Sequence, residues 1–446
     1  MVGLENPGLR SRGLNPLKST VAVIGAGWAG CAAAVEATRR GHQVTLFEAT
    51  RIAGGRARRV DVTFAGQTHA LDNGQHILIG AYQETLKLMA DLGIDASSTL
   101  RRMPLTLQFP DGSGLKLPKL PTPFDAMAGI LLASGWSWAD KALLLKVAMR
   151  WKLSQFRCAP HQSVAELCSA LPPRINNMLI EPLCVAALNT PAERASGQVF
   201  LRIMQDVLFS SNGGSNLLLP QVDLSALMPN AAIEWLYRYG GEVKLGTRVQ
   251  HIVLTNTGWE LGAESPEALR TFDSVVLACP PTEAARLVQT SAQACEPWLK
   301  HARALQHESI ATVYALANGV QLAQPMLALH ASDTQPAQFV FDRGQLGGPA
   351  GLLAFVVSAS VGDSATLAHQ VTVQAKEQLG LKDVQVIQTI VDKRATFACT
   401  PGLQRPGIHI APGLLACGDY VEGPYPATLE GAVRSGRNAA RLLGKN

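Results

Sequence analysis

Charge is what this sequence has least of. Only 16% of its residues are Asp, Glu, Lys or Arg, against the roughly 25% of ordinary soluble domains. Thirty-nine basic and 34 acidic residues leave a net charge of +5 over 446 residues. Lys and Arg occur throughout the chain rather than in one stripe, so no nucleic-acid partner is expected. Cysteine chemistry is missing too. The eight cysteines (Cys31, Cys158, Cys168, Cys184, Cys279, Cys295, Cys399, Cys417) form no C-x-x-C pair. That spacing predicts buried, reduced thiols and no metal site. No run of 18 apolar residues exists, so no membrane-spanning helix is expected. Met1 to Thr20 carries Arg10, Arg12 and Lys18 without an apolar core, so no secretory signal is expected in this stretch. The chain therefore reads as cytoplasmic, with a peripheral position on the inner face of a membrane left open.

Apolar residues, in contrast, make up 47%, and mean hydropathy is +0.11. Wholesale disorder is excluded. Two readings stay open for the excess: an apolar substrate or membrane surface, or simply an Ala- and Leu-rich soluble enzyme.

The most informative stretch is Val21-Ala22-Val23-Ile24-Gly25-Ala26-Gly27-Trp28-Ala29-Gly30. A short apolar strand runs directly into Gly-x-Gly-x-x-Gly, and the Ala-rich residues Cys31 to Arg40 follow as a helix. This is the strand–turn–helix context of a dinucleotide fingerprint. Gly25 permits the turn, Gly27 lets backbone approach a pyrophosphate, and Gly30 lets helix and strand touch. The helix N-terminus favours the anion. Val44 to Phe47 makes a second strand ending in Glu48, 23 positions after Gly25. Its carboxylate suits an adenosine ribose. Gly54-Gly55-Arg56 then offers a cation opposite the fingerprint helix.

Further along, Leu71-Asp72-Asn73-Gly74-Gln75-His76 precedes a helical run near Tyr82 to Leu92. Residues 124–205 are mostly helical. Within 124–153, Trp136 and Trp138 stand among Leu, Ile and Met, with Asp140, Lys141, Lys146, Arg150 and Lys152 interspersed. Interfacial helices combine these features; so does a helical domain whose apolar faces meet each other. Strands are expected over Glu242–Leu254, Trp259–Leu261 and Phe272–Cys279, and a helix over Ala231–Tyr239.

The chain ends on a second strand–helix unit. Leu414-Leu415-Ala416-Cys417 leads to Gly418-Asp419, and a helix is expected to open near Ala427, taking in Thr428 and Leu429. A nicotinamide dinucleotide needs only the first unit, whereas FAD is longer. Asp419 suits a ribityl hydroxyl, and a helix N-terminus suits the flavin edge that becomes anionic on reduction. No second Gly-x-Gly-x-x-Gly exists for NAD(P)H, so a reductant site cannot be placed. Asp72 and His76 are the candidates for positioning or proton donation; Tyr420, Tyr425 and Glu430 stand second. For His76 a hydrogen bond within its own turn is an equal alternative.

Gly25 to Gly30, Glu48, Gly54-Gly55-Arg56 and Gly418-Asp419…Gly431-Ala432 resemble the amine-oxidase and phytoene-desaturase superfamily of flavoproteins, end to end. Thr247-Arg248-Val249 and Ala278-Cys279-Pro280-Pro281 belong to the same resemblance, which implies that Val249 contacts the adenine through its backbone. More narrowly, Asp72 to His76 with Gly80-Ala81-Tyr82 resembles the hydroxysqualene dehydroxylases. The resemblance implies an α/β, amine-oxidase-like fold: a discontinuous Rossmann-like FAD domain (1–100, 206–290, 395–446) with an inserted α+β substrate domain (101–205, 291–394). It also implies FAD, a long apolar isoprenoid substrate, association with other enzymes of squalene synthesis, and loss of an allylic hydroxyl. Carotenoid-precursor desaturation and amine oxidation are the rivals. Amine oxidases line their site with an aromatic pair, for which this stretch offers only Tyr420 and Tyr425.

Overall fold

The computed structural model describes residues 19–209, 213–263, 270–291, 293 and 295–444; the basic lead-in of the first 18 residues lies outside them. Its centre is a six-stranded sheet. In spatial order the strands are Glu242–Leu245, Gln43–Glu48, Thr20–Ile24, Ser274–Leu277, Leu414–Ala416 and His409–Ala411. The first five run parallel and the last is antiparallel. Helices Trp28–Arg39, Pro229–Arg238 and Leu429–Leu442 cover one face. The antiparallel sheet of Val249–Thr255, Gly258–Ala263 and Arg270–Phe272 packs on the other, with Phe47 edge to face on Phe272 at 6.0 Å. The central strands are thus buried nearly throughout, as parallel strands require. Three distant stretches of sequence thereby share one sheet. The fold is the expected FAD-binding amine-oxidase-like α/β architecture.

An antiparallel sheet stands apart, in the order Met326–Ala328, Phe339–Asp342, Leu352–Ser358, His307–Leu316, Gln385–Phe397. Helices Phe124–Leu132, Trp138–Leu153 and Gly197–Phe209 enclose, together with Met326 and Phe339 of this antiparallel sheet, one apolar cavity.

Three sequence expectations shift. Phe272 to Cys279 divides: Phe272 ends the strand Arg270–Phe272 of the three-stranded antiparallel sheet, and Ser274–Leu277 joins the central sheet. Glu242 to Leu254 is not one strand: it breaks at Gly246 (φ +69°), and the chain changes sheets between Leu245 and Val249. The last helix is Leu429–Leu442, two residues later than expected. Tyr425 and Ala427 take φ +58° and +57°, which no helix accommodates, and Thr428 caps the helix by accepting from Gly431 N–H at 3.0 Å.

Helix Trp28–Arg39 lies directly on helix Leu429–Leu442. A Cβ on Gly436 would come within 2.1 Å of the Ala29 carbonyl oxygen, so only glycine permits this approach. Arg437, 3% exposed, then pairs with Glu36 (3.4 Å), Glu84 (3.3 Å) and Asp91 (3.2 Å). Glu430 is fully buried and accepts from the backbone N–H of Glu84 and Thr85 and from Arg434. It is a scaffold residue, not a candidate acid. Replacing Gly436 with Val should lower the unfolding free energy by about 3 kcal/mol, as overpacking does. Denaturant titration at unchanged m value checks this; a midpoint equal to wild type would contradict the contact.

Candidate functional site

The fingerprint glycines do two different jobs. Gly25 takes φ +110°, and a Cβ on Gly30 would sit 1.8 Å from the Gly25 carbonyl oxygen, so both are required by the fold itself. Gly27 is different. Its φ of −72° suits any residue, and a Cβ there would meet nothing nearer than Gly55 Cα at 3.9 Å. Beside it runs the Gly54–Gly55 loop, bridged to Gly27 and held by Gly54 N–H donating to Ala26 C=O at 2.8 Å. Trp28 donates its indole N–H to Ala57 C=O at 3.1 Å and pins the same loop. The helix above, which starts Trp28-Ala29-Gly30, has no side-chain cap and no acidic residue in its first turn. An uncapped helix end over a bare backbone cradle fits a pyrophosphate. Glu48 accepts from Ala26 N–H at 2.8 Å and Thr50 N–H at 2.9 Å, which holds its carboxylate at the sheet's carboxyl edge. Val249 begins a strand at the same edge, its carbonyl taken by Arg286 at 3.1 Å.

The second anchor meets the first through Arg56. Its guanidinium pairs with Asp419 at 2.5 Å and also donates to Ala395 C=O. Arg56 therefore joins the N-terminal loop to the C-terminal strand end. Gly418 N–H donates to Ser435 Oγ at 3.1 Å, fixing that strand end on the last helix. Near Gly74, Thr312 Oγ1 and, farther on, Tyr420 Oη are buried without hydrogen-bond partners. An unsatisfied buried hydroxyl is costly, and Thr312 so placed fits a polar ring edge. Thr428 and Leu429 open the last helix beside this space. These residues fit FAD at both ends.

The substrate side is a cavity of about 350 Å³, within the range of roughly 300–1,000 Å³ usual for small-molecule sites. Its walls are almost wholly carbon, with Leu105, Leu115, Leu117, Ile130, Leu179 and Phe200 among them. Polar side chains are few: Tyr82, Tyr425, Thr428, Ser215 and, at the outer side, Lys152. Tyr82 and Tyr425 meet edge to face at 6.0 Å between ring centres. The Tyr425 hydroxyl hydrogen-bonds the Asp206 carboxylate, and Asp206 pairs with Arg202 at 3.0 Å. Burial, then the Asp206 charge, raise the Tyr425 phenol above its ordinary range.

Asp72 and His76 do not line this cavity. Asp72 is 2% exposed; Oδ1 accepts from Leu224 N–H at 2.8 Å and Oδ2 lies 3.8 Å from Arg343. Tyr314 Oη donates to the Asp72 carbonyl at 2.9 Å. Burial pushes the Asp72 carboxyl up from 3.8 to about 6, against the pull of Leu224 N–H and Arg343. His76 Nδ1 pairs with Gly74 C=O at 2.8 Å, and burial lowers its pKa, so it is neutral. Both therefore brace the Gly74–Gln75 loop, with Arg343 reaching Gln75 at 3.4 Å. Tyr420 packs against Gly418, away from the cavity. Sequence reasoning singled out neither Asp206 nor Arg343. Arg343 lies 268 positions from Gln75, a separation that carries no local pattern. All eight cysteines are free, and burial pushes Cys31 and Cys279 up to about 12, which leaves them inert.

Residues 28–443 match the model of the flavin containing amine oxidoreductase family. The chain is 27% identical to the hydroxysqualene dehydroxylase of Rhodopseudomonas palustris, over 96% of this chain and 99% of that protein. It is also 27% identical to a 15-cis-phytoene desaturase of an Oncidium hybrid, but over only 53% of this chain and 42% of that one. Among solved structures, an oxidoreductase from Methanosarcina mazei superposes with a TM-score of 0.72 at 17% identity, covering 95% of this chain and all of that one.

Two results are expected. Gly27→Ala should leave unfolding within about 1 kcal/mol of wild type yet purify without flavin absorbance, whereas Gly30→Ala should fail to fold; flavin bound normally by Gly27→Ala would contradict the cradle. For Asp72, the folded protein holds a proton between about pH 4 and 6 that the unfolded chain releases. The stability from that proton is complete below this window and lost as pH rises through it. Asp72→Asn keeps the acceptor for Leu224 and should therefore gain roughly 2–3 kcal/mol relative to wild type between pH 4 and pH 7. Parallel stability profiles for the two proteins would remove the buried carboxyl from the explanation.

Proposed function

The chain belongs to the flavin-containing amine oxidoreductase family and is an FAD-dependent oxidoreductase, and from that footing we propose that it removes the allylic hydroxyl of hydroxysqualene reductively to give squalene, for hopanoid synthesis. The observation that carries this reading is the cavity: carbon walls throughout, with a protonated phenol at the end where the last helix begins. A relative matched end to end bears the name of that activity.

When bound, reduced FAD supplies a hydride. The chain must supply the rest. An alcohol is a poor leaving group until its oxygen takes a proton, and Tyr425 Oη holds one at the polar end of the cavity. The proton passes from Tyr425 to the departing hydroxyl, which leaves as water; a solvent proton relayed across the Asp206 carboxylate then returns the phenolate to the phenol. Loss of water leaves an allylic cation, and water is the nucleophile most able to capture it wrongly. The Leu and Ile walls exclude bulk solvent from that step. Asp72, Arg343 and His76 act as positioning residues for the Gly74–Gln75 loop.

The opposite reaction, desaturation of a carotenoid precursor, calls for a base to take a proton. A phenol held above its normal pKa is a poor one at neutral pH, and the desaturase match spans about half the chain. A cationic amine would meet an apolar chamber, despite the Tyr82–Tyr425 pair.

Reduced holoenzyme given hydroxysqualene should yield squalene by gas chromatography. Conversion of phytoene by the same preparation, with hydroxysqualene left unchanged, would reverse the assignment. Tyr425→Phe should lower kcat about 10²- to 10⁴-fold, the usual worth of a general acid, while retaining flavin. An unchanged kcat would remove Tyr425 from the proton path.

A further inference from the structure

The cavity opens between two helices whose outer faces are apolar. Helix Phe124–Leu132 turns Phe124, Met127 and Leu131 outward at helical spacing, with Leu132 beside them, 72% exposed. Helix Trp138–Leu153 turns out Trp138 (73% exposed), Met149 and Leu153 (78%). Of the fourteen large apolar side chains exposed among the described residues, eight lie between Leu120 and Leu153. Apolar exposure this concentrated marks an interaction surface. Met127 and Met149 are at once exposed and part of the cavity wall, so the outer patch runs continuously through the mouth. Trp136, in contrast, is buried and belongs to the core.

Charge says what covers this patch. Residues 116–157 hold seven Lys and Arg against two Asp, a net +5 that equals the net charge of the whole chain. Of the two acids, Asp125 is buried and Asp140 is engaged in the capping box of its helix. Lys146, Arg150 and Lys152 stand exposed beside the apolar stripe. Lys141 donates to Leu131 C=O at 2.9 Å and lies 4.7 Å from the Trp138 ring, tying the two helices together. No helix among the described residues is long and apolar enough to cross a membrane.

We propose that this face docks on an anionic lipid bilayer, with the apolar stripe sunk to the headgroup boundary and the basic side chains against lipid phosphates. The cavity mouth then opens toward hydrocarbon, and the long apolar substrate passes between bilayer and cavity without crossing water. This last point rests on the function proposed above; the docking itself does not. Basic, apolar interfacial helices bind in this manner. A second copy of the chain fits less well, because a two-fold contact would set one positive patch against its twin.

The test uses flavin-loaded enzyme and vesicles of phosphatidylcholine alone or mixed equally with phosphatidylglycerol. Wild type should float with the anionic vesicles at least about tenfold better than with the neutral ones, and high salt should weaken this. The triple variant Phe124→Ser, Leu132→Ser, Trp138→Ser lies outside the cavity wall. It should keep its flavin and its turnover of detergent-solubilised substrate, yet lose at least about tenfold in vesicle partitioning and in turnover of vesicle-borne substrate. Lys146→Gln with Arg150→Gln should lose mainly the anionic preference. Wild type that ignores both vesicles would overturn the proposal. So would a concentration-dependent dimer that the triple variant abolishes. Because flotation needs no substrate, failure of the dehydroxylation reading would leave its outcome unchanged.

Discussion

The contact on which the remaining structure depends is that of Gly436 against Ala29. The helix that follows the glycine fingerprint and the helix that closes the chain touch backbone to backbone there, and nothing larger than hydrogen fits between them. Buried Arg437 locks the pair by facing three carboxylates, Glu36, Glu84 and Asp91. Removing one partner of such a buried set costs about 3–5 kcal/mol, so the register of the two helices is strongly specified. That register fixes the uncapped start of one helix relative to the Thr428-capped start of the other. A cofactor with a phosphate end and a ring end needs that arrangement, and Arg56–Asp419 repeats the connection on the other side of the sheet edge.

From this scaffold the division of chemistry follows. Charges belong to the frame: Asp72 with Arg343, Glu430 with Arg434, Arg56 with Asp419. The cavity is left with carbon, a few hydroxyls and, at its outer side, Lys152. In the reaction proposed above, a cationic intermediate generated there would meet aromatic and aliphatic walls rather than carboxylates or water, and the proton that creates it would come from the end where Tyr425 is backed by Asp206. The unusual backbone of Tyr425 and Ala427 is what turns the chain sharply enough to place that phenol at the cavity and still begin a helix at Leu429.

The fold was legible from both ends of the sequence because its signals are local. A Gly pattern after a buried strand, an acid 23 positions on, and a strand ending in Gly-Asp each declare themselves within a few residues. Tertiary pairings left no such trace. Asp72 reads as a candidate acid in sequence, since a lone carboxylate beside Gly and His carries no sign of the Leu224 N–H or Arg343 that enclose it. Asp206 sits in an ordinary amphipathic helix, and only the fold brings it to Tyr425. The Trp136 and Trp138 pair looks alike in sequence; Trp136 lies in the loop after Gly135 (φ +78°), between helices Phe124–Leu132 and Trp138–Leu153, and is buried, whereas Trp138 starts the second helix and is exposed.

The central claim is that one flavin, gripped by both ends of the chain, faces one dry cavity in which an allylic hydroxyl is replaced by hydride. Anaerobic single turnover tests it most directly. Reduced holoenzyme mixed with hydroxysqualene should regain the oxidised flavin spectrum, with one squalene formed for each flavin reoxidised. Flavin that stays reduced while squalene appears, or reoxidises without it, would contradict the claim.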